Sequence, residues 1–338
     1  MARPRGGAPA ARPLRGVART PVGGGKKRLL RGRGRAVRSG AVRILILGAG
    51  GMLGHKLWQT LHPDFDVWVT GRAPFAHYER FGLFAPDRFI EGVDATNLST
   101  VAAAVDRVRP DAVINCIGVI KQLAAAKDPI ASLTLNSLFP HQVARMLGGG
   151  ARLLHVSTDC VFSGRRGMYR EADVPDPEDL YGRTKLLGEV DGPHCLTLRT
   201  SIVGRELETA SGLFEWFLGH RGGRVRGFSK AIYSGLTTLA LSRVIAEVLH
   251  HHRGLSGVYQ VASQPLSKLE LLRRVRDALG LQVELVPDDS VAIDRSLDGS
   301  RFRAATSIEV PSWDEMISDF AADPTPYDAW KRQAPAVR

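Results

Sequence analysis

The sequence predicts a doubly wound α/β fold, a parallel sheet with helices on both faces, followed by a smaller C-terminal α/β lobe. Two observations carry this prediction. From residue 43 onward short β-branched runs alternate with helix-patterned stretches. The first of these runs leads straight into a glycine-rich turn and then a helix. The 338 residues, 44% of them hydrophobic, suffice for one large or two small domains. No stretch approaches the roughly 18 uncharged apolar residues of a membrane span, and the N-terminus lacks the apolar core of a secretory signal. A cytoplasmic protein with no membrane partner is expected.

The net charge of +12 lies in residues 1–42, which hold twelve Lys and Arg and no acid, so residues 43–338 are neutral overall. This Arg/Gly/Pro/Ala tail has no helical or strand period and is expected to be disordered. Three readings stay open for it: sequence read upstream of a true start at Val42, a polyanion-binding arm, or a targeting segment. Apart from the tail, nothing in the charge distribution favours nucleic acid as a partner.

The first strand reads RILIL at 43–47, and further strands are expected at 66–70, 88–93, 111–116, 152–157 and 195–199, separated by helical segments. These form a dinucleotide-binding (Rossmann) domain over 43–200. Beyond residue 200 the regularity weakens: a Gly/Arg-rich run at 219–227, a helix at 237–251, a strand at 257–261 and a helix at 267–279. Residues 201–330 are therefore expected to be mainly a substrate-binding lobe, closing over the crevice at the carboxyl ends of the strands. Cys116, Cys160 and Cys195 are dispersed without metal-ligand spacing, which argues against a disulfide framework or zinc site. The histidines at 250–252 follow an amphipathic segment, where they cap carbonyls or are solvated.

The glycine turn reads Gly48-Ala49-Gly50-Gly51-Met52-Leu53-Gly54. Gly48 permits the tight turn, Gly51 lets the backbone approach a pyrophosphate, and Gly54 allows close helix–strand packing. Gly48, Gly51, Met52, Leu53 and Gly54 are thus expected to hold a dinucleotide. The second strand ends in Thr70-Gly71-Arg72 rather than in a carboxylate, and Arg72 suits a 2′-phosphate, so NADPH is expected over NADH. Asp94 and Ala95 are placed to meet the adenine. Cys116, Ile117 and Gly118, after the fourth strand, let the cofactor pass.

Tyr181 and Lys185 are spaced i,i+4 and so are neighbours on one helix face. A phenol is a poor acid–base group at neutrality, and an adjacent ammonium is expected to favour its phenolate. The chain holds a second Tyr-x-x-x-Lys, Tyr327 to Lys331, which is expected to be coincidental. Tyr181 differs in having an upstream strand that ends in Ser157-Thr158-Asp159. Thr158 and Tyr181 can then converge on one carbonyl oxygen, the first hydrogen-bonding it and the second protonating it as hydride arrives.

With the glycine turn, the Ser-Thr-Asp strand end and Tyr-Gly-Arg-Thr-Lys in order, the chain resembles the extended short-chain dehydrogenase/reductases, and among them the dTDP-4-dehydrorhamnose reductases. The resemblance runs from residue 43 to about 325 and includes Leu-Arg-Thr-Ser-Ile-Val-Gly at 198–204 and Arg295-Ser296-Leu297-Asp298. It implies a Thr158/Tyr181/Lys185 triad, with Lys185 and Tyr181 also touching the cofactor and Asn136 supporting a proton relay. It implies a nucleotide-linked 4-keto-6-deoxy-sugar as substrate, contacted by Thr158, Asp159 and Ile202. Cys160 stands where the related dehydratases carry an acid, which disfavours dehydration, and where the reductases usually carry Tyr. Ile202 stands where a Trp often lines the sugar site, and these two departures leave another keto-sugar or nucleotide open. Some relatives hold magnesium at a dimer contact; its carboxylate ligands find no match here, and a homodimer stays open. The family also resembles the regulatory subunit of methionine adenosyltransferase, so a non-catalytic dinucleotide-binding subunit is a rival to a reductase or epimerase.

Overall fold

The computed structural model of the chain describes residues 42–122 and 127–333; the expectations for the basic tail lie outside them. The first half alternates as expected: β1 (Arg43–Leu47), α1 (Gly54–Leu61), β2 (Asp66–Thr70), α2 (Phe75–Glu79), β3 (Phe89–Ile90), α3 (Leu98–Val108) and β4 (Ala112–Asn115). There follow α4 (Pro129–Ser132), α5 (Phe139–Leu147), β5 (Arg152–Thr158), α6 (Leu180–Leu187) and β6 (Cys195–Thr200). The second half contributes β7 (Ile202–Val203), α7 (Leu213–Leu218), β8 (Arg224–Tyr233), β9 (Leu236–Thr237), α8 (Thr238–His251) and β10 (Gly257–Gln260). It ends with β11 (Leu266–Ser267), α9 (Lys268–Ala278), β12 (Glu284–Asp294), α10 (Ser300–Thr306), α11 (Trp313–Ala321) and α12 (Tyr327–Gln333).

The central sheet is parallel and runs β3-β2-β1-β4-β5-β6-β10. Successive residues of β1 point to opposite faces, and the two cores show it. Ile44 and Ile46 join Leu57 and Leu61 of α1 on one side, with Ile245 and Val248 of α8 in the same core. Leu45 and Leu47 join Val101 and Val108 of α3 and Phe139 and Val143 of α5 on the other. Strand order reverses between β1 and β4, which opens a crevice at their carboxyl ends. Between α4 and α5 the chain runs as a π-helix over Leu133–Leu138, the kind of local widening that tends to sit at functional sites.

The lobe differs from its sequence expectation. The Gly/Arg-rich run leads into β8, the centre of a three-stranded sheet β11-β8-β12. Neither β8 nor β12 was expected; β12 contains Pro287, and its register against β8 slips between Asp288 and Ala292. The expected boundary near residue 200 also needs revision, because β10 pairs with β6 and completes the central sheet, while α8 packs on α1. Residues 238–260 thus belong with the central sheet. Half-covered at the sheet edge, β10 shows no continuous apolar run to advertise that place.

Candidate active site

The glycine turn has the geometry its composition requires. Gly48 has φ of +90°, in the region that favours glycine, and a Cβ on Gly54 would lie 2.1 Å from the Gly48 carbonyl oxygen. A Cβ on Gly51 would meet only that same oxygen, at 3.5 Å, so its other side is open. At the start of α1, Leu53 offers no side-chain cap and the first turn carries no acid, which leaves the helix N-terminus ready for an anion. These features fit the pyrophosphate of a dinucleotide.

A cleft of about 710 Å³ opens at the carboxyl ends of the strands. Of the residues expected at the site, Gly51, Met52, Leu53, Cys116, Ile117, Gly118, Asn136, Thr158, Asp159, Tyr181, Lys185 and Ile202 line it. Gly48 and Gly54 lie beneath the turn. Arg72, Asp94 and Ala95 are not among the lining residues; they follow β2 and β3, where the adenosine end of a dinucleotide would run. Arg72 is exposed. Asp94 uses its carboxylate to accept from the Thr96 N–H and hydroxyl, both at 2.8 Å, and these bonds, with help from Arg72, hold it below the usual carboxylate range.

Two elements bring Thr158, Tyr181 and Lys185 to the cleft. β5 delivers Thr158 at its end, and Asp179 caps α6 by accepting from the Gly182 N–H at 2.8 Å. Gly182 lets α6 seat closely, since a Cβ there would lie 2.2 Å from the Cys160 carbonyl oxygen. Thr158 donates to Asp159 Oδ1 at 3.1 Å and accepts from the Cys160 N–H at 3.1 Å. Lys185 is buried and donates to the Val156 carbonyl at 2.7 Å. Burial lowers its pKa to about 8, opposed by Glu189 and Cys116.

The expectation that the ammonium favours a Tyr181 phenolate is corrected here. Burial of the phenol pushes its pKa above the ordinary value, Cys160 adds to this, and Thr158 opposes it; Lys185 is not among the causes. Lys185 is held by Val156 instead, and Tyr181 is a protonated phenol. Asn136 is held on the cleft loop: its Oδ1 accepts from the Val119 N–H at 2.8 Å, and its Nδ2 donates to the Val119 carbonyl at 3.0 Å and to Thr184 Oγ1 at 3.3 Å. Its side chain thus clamps the cleft loop at Val119.

Sequence reasoning missed several groups. His155 lies within β5, with Nε2 3.3 Å from Lys185 Nζ and Nδ1 3.2 Å from Asn115 Nδ2. Asn115 Oδ1 accepts from the Ile117 N–H at 3.0 Å, which turns its amide NH2 toward His155. Burial holds His155 neutral. A histidine inside an otherwise apolar strand was the available signal. From the lobe, Lys268, Arg295 and Tyr233 enter the cleft near Asp159. Burial raises the Asp159 pKa and Arg295 opposes it. The Tyr233 phenol oxygen is buried without a partner among the described residues. Behind the site, Glu189 and Arg199 form a buried two-bond ion pair, and Glu189 also accepts from Ser157. Among the described residues no cluster of three or more His, Cys, Asp or Glu could hold a metal. The histidines at 250–252 are accounted for locally, His250 packing on Phe65 and His251 beside Glu247.

Comparison with known proteins adds three findings. The sequence model of the family described as RmlD substrate binding domain matches residues 42–324. Methionine adenosyltransferase 2 subunit beta of Xenopus tropicalis is 34% identical over 149 residues, which are 44% of this chain and 41% of that protein. The dTDP-4-dehydrorhamnose reductase of Aggregatibacter actinomycetemcomitans is 31% identical over 165 residues, 47% of this chain and 51% of that one. The chain thus spans about half the length of these curated relatives. Among solved structures, the dTDP-4-dehydrorhamnose reductase of Bacillus anthracis in complex with NADP superposes with a TM-score of 0.69 at 24% identity, over 83% of this chain and 98% of that one, a likeness of fold.

Proposed function

The chain belongs to the family described as RmlD substrate binding domain, and from that premise we propose that it is an NADPH-dependent reductase of a nucleotide-linked 4-keto-6-deoxy-sugar. The substrate favoured by this reading is dTDP-4-dehydro-L-rhamnose, reduced to dTDP-L-rhamnose for cell-surface polysaccharide. One observation carries the reading: Thr158, Tyr181 and Lys185 line the same cleft as the Gly51–Leu53 turn and the Cys116–Gly118 loop. A carbonyl seated there would lie beside both an acid and a dinucleotide. The reductase named among the relatives supports the substrate class.

When bound, the dinucleotide supplies the hydride. The chain's own residues do the rest. Thr158 and Tyr181 present hydroxyls to one substrate oxygen, and Tyr181, kept protonated by burial, gives that oxygen its proton. Lys185, fixed by Val156, places positive charge beside the developing oxyanion and holds the nicotinamide ribose. Arg72 pairs the 2′-phosphate that distinguishes NADPH. Asp159 and Ile202 touch the sugar.

The test is oxidation of NADPH and of NADH with enzymatically prepared dTDP-4-dehydro-rhamnose. Wild-type protein is expected to consume NADPH faster than NADH, and Tyr181→Phe to lose about 10²- to 10⁴-fold in turnover while still binding dinucleotide. A Tyr181→Phe protein with full turnover would overturn the mechanism. A second reading, a dinucleotide-binding regulatory subunit, is favoured by the methionine adenosyltransferase relative; tight NADPH binding without oxidation by any 4-keto-sugar would select it.

A further inference from the structure

The second Tyr-x-x-x-Lys of the chain lies far from the triad in sequence and lines no part of the cleft, yet it is not idle. Tyr327 is buried, and its hydroxyl lies 2.8 Å from His55 Nε2, while His55 Nδ1 lies 2.8 Å from the Gly51 carbonyl oxygen. A carbonyl only accepts, so His55 carries its proton on Nδ1, and Tyr327 must donate to Nε2. Burial, which lowers the His55 pKa to about 4, keeps the ring in that neutral form. A planar trans peptide points its C=O and N–H in opposite directions. Anchoring the Gly51 carbonyl on His55 therefore turns the Met52 N–H outward, toward the side where Gly51 and Met52 line the cleft.

The same C-terminal stretch grips α1 twice more, Asp323 accepting from Lys56 at 2.7 Å and Thr325 from Gln59 at 3.0 Å. It grips the opposite wall as well. Lys331 pairs with Glu215 and donates to the Thr209 carbonyl at 3.2 Å, and Asp328 pairs with Arg205. The Glu215 carboxylate in turn accepts from the Glu206 N–H at 2.9 Å. The wall loop reaches the turn itself: a Cβ on Gly212 would come within 2.8 Å of the Met52 methyl.

We infer that residues 323–331 form a brace that holds the Gly51–Met52 peptide in its dinucleotide-receiving orientation, with His55 and Tyr327 as positioning residues for the coenzyme. The inference rests on the function proposed above only in taking a nicotinamide dinucleotide as the ligand. The brace contacts none of Thr158, Tyr181 and Lys185, so its loss should fall chiefly on coenzyme affinity.

The experiment measures NADPH binding by the rise in nucleotide fluorescence, independently of turnover. His55→Leu, which removes the side-chain donor to Gly51 and leaves only the longer backbone bond at 3.3 Å, is expected to weaken NADPH about tenfold, and Tyr327→Phe about fivefold. His55→Asn puts an amide donor at the position of Nδ1 and should stay within about threefold of wild type. Turnover at saturating NADPH and KM for the keto-sugar should change by less than about twofold in all three. Should His55→Leu not fold, Tyr327→Phe carries the same comparison. Unaltered NADPH binding in Tyr327→Phe and His55→Leu would overturn the inference, as would equal weakening in the Leu and Asn variants that tracks their thermal midpoints. A wild-type chain that binds neither NADPH nor NADH would overturn both the inference and the proposed function. Dinucleotide binding that depends on His55, without reduction of any keto-sugar, would uphold the inference and overturn only the reductase reading.

Discussion

Lys185 sits in a buried spot that makes its charge conditional. With a pKa of about 8, it is an ammonium at neutrality and loses its proton as pH rises through that value. The role proposed for it requires the ammonium, so kcat/KM should be level on the acid side and fall as pH rises through about 8. A kcat/KM profile between pH 6 and about 10 checks this. The two thiols of the cleft behave oppositely: burial pushes both Cys116 and Cys160 up to about 12, and both should resist alkylation at neutral pH, as mass spectrometry after iodoacetamide would show. At this scale the meeting of Thr158, Tyr181 and Lys185 on one cleft was legible, because a strand-end hydroxyl and an i,i+4 Tyr/Lys pair are local patterns. His155, Arg295 and Tyr233 were not, because each acquires its neighbours only when distant segments fold together.

Helix α6 carries both Tyr181 and Lys185, and two glycines decide where it sits. A Cβ on Gly182 would strike the Cys160 carbonyl oxygen at 2.2 Å, and one on Gly188 would strike that of Asn136 at 1.8 Å. Both obstacles are backbone and cannot swing away. Gly182→Ala should therefore push Tyr181 away from Thr158 and reduce turnover by about a hundredfold or more, since a displacement of about 1 Å can cost that much. NADPH affinity should hold within a few-fold, and parallel fluorescence titration and rate measurements separate the two. Gly54→Ala, blocked at 2.1 Å by the Gly48 carbonyl, should show the reverse preference and weaken NADPH first. The strands of the dinucleotide-binding half could be read from apolar runs bounded by turn residues. The lobe strands could not: β8 opens with alternating arginines and glycine, and β12 carries a proline and a register slip. Nor does Leu-Thr-Leu-Asn-Ser-Leu announce a π-helix, within which Asn136 docks on Val119.

For the whole molecule, two buried neutral histidines set the acid limit. His55 is held near 4 and His155 well below its ordinary value, both mainly by burial. Unfolded, each would take up a proton near its ordinary pKa. Between about pH 6.5 and 4 the unfolded chain binds more protons than the folded one, so stability rises with pH there and is lost as pH falls. His55 alone would contribute about 3 kcal/mol to that loss. Urea unfolding at pH 7 and pH 4.5 should show the drop, and His55→Asn should show less of it. The parallel core and the position of the crevice were readable for the whole chain, because the alternation of elements sets them. The return of β10 to the central sheet was not, because the pattern of a strand at 257–261 does not say which strand it will pair with.

That return changes what kind of motion the cleft allows. The backbone leaves the central sheet after Thr200, comes back at Thr238 to build α8 and β10, departs again at Leu266, and returns after Asp294 to end against α1. Two bodies joined by a single tether can swing like a door. Bodies stitched together at several points along their shared seam can only slip past one another by small amounts. A single protease nick anywhere along that seam would leave the halves sewn together.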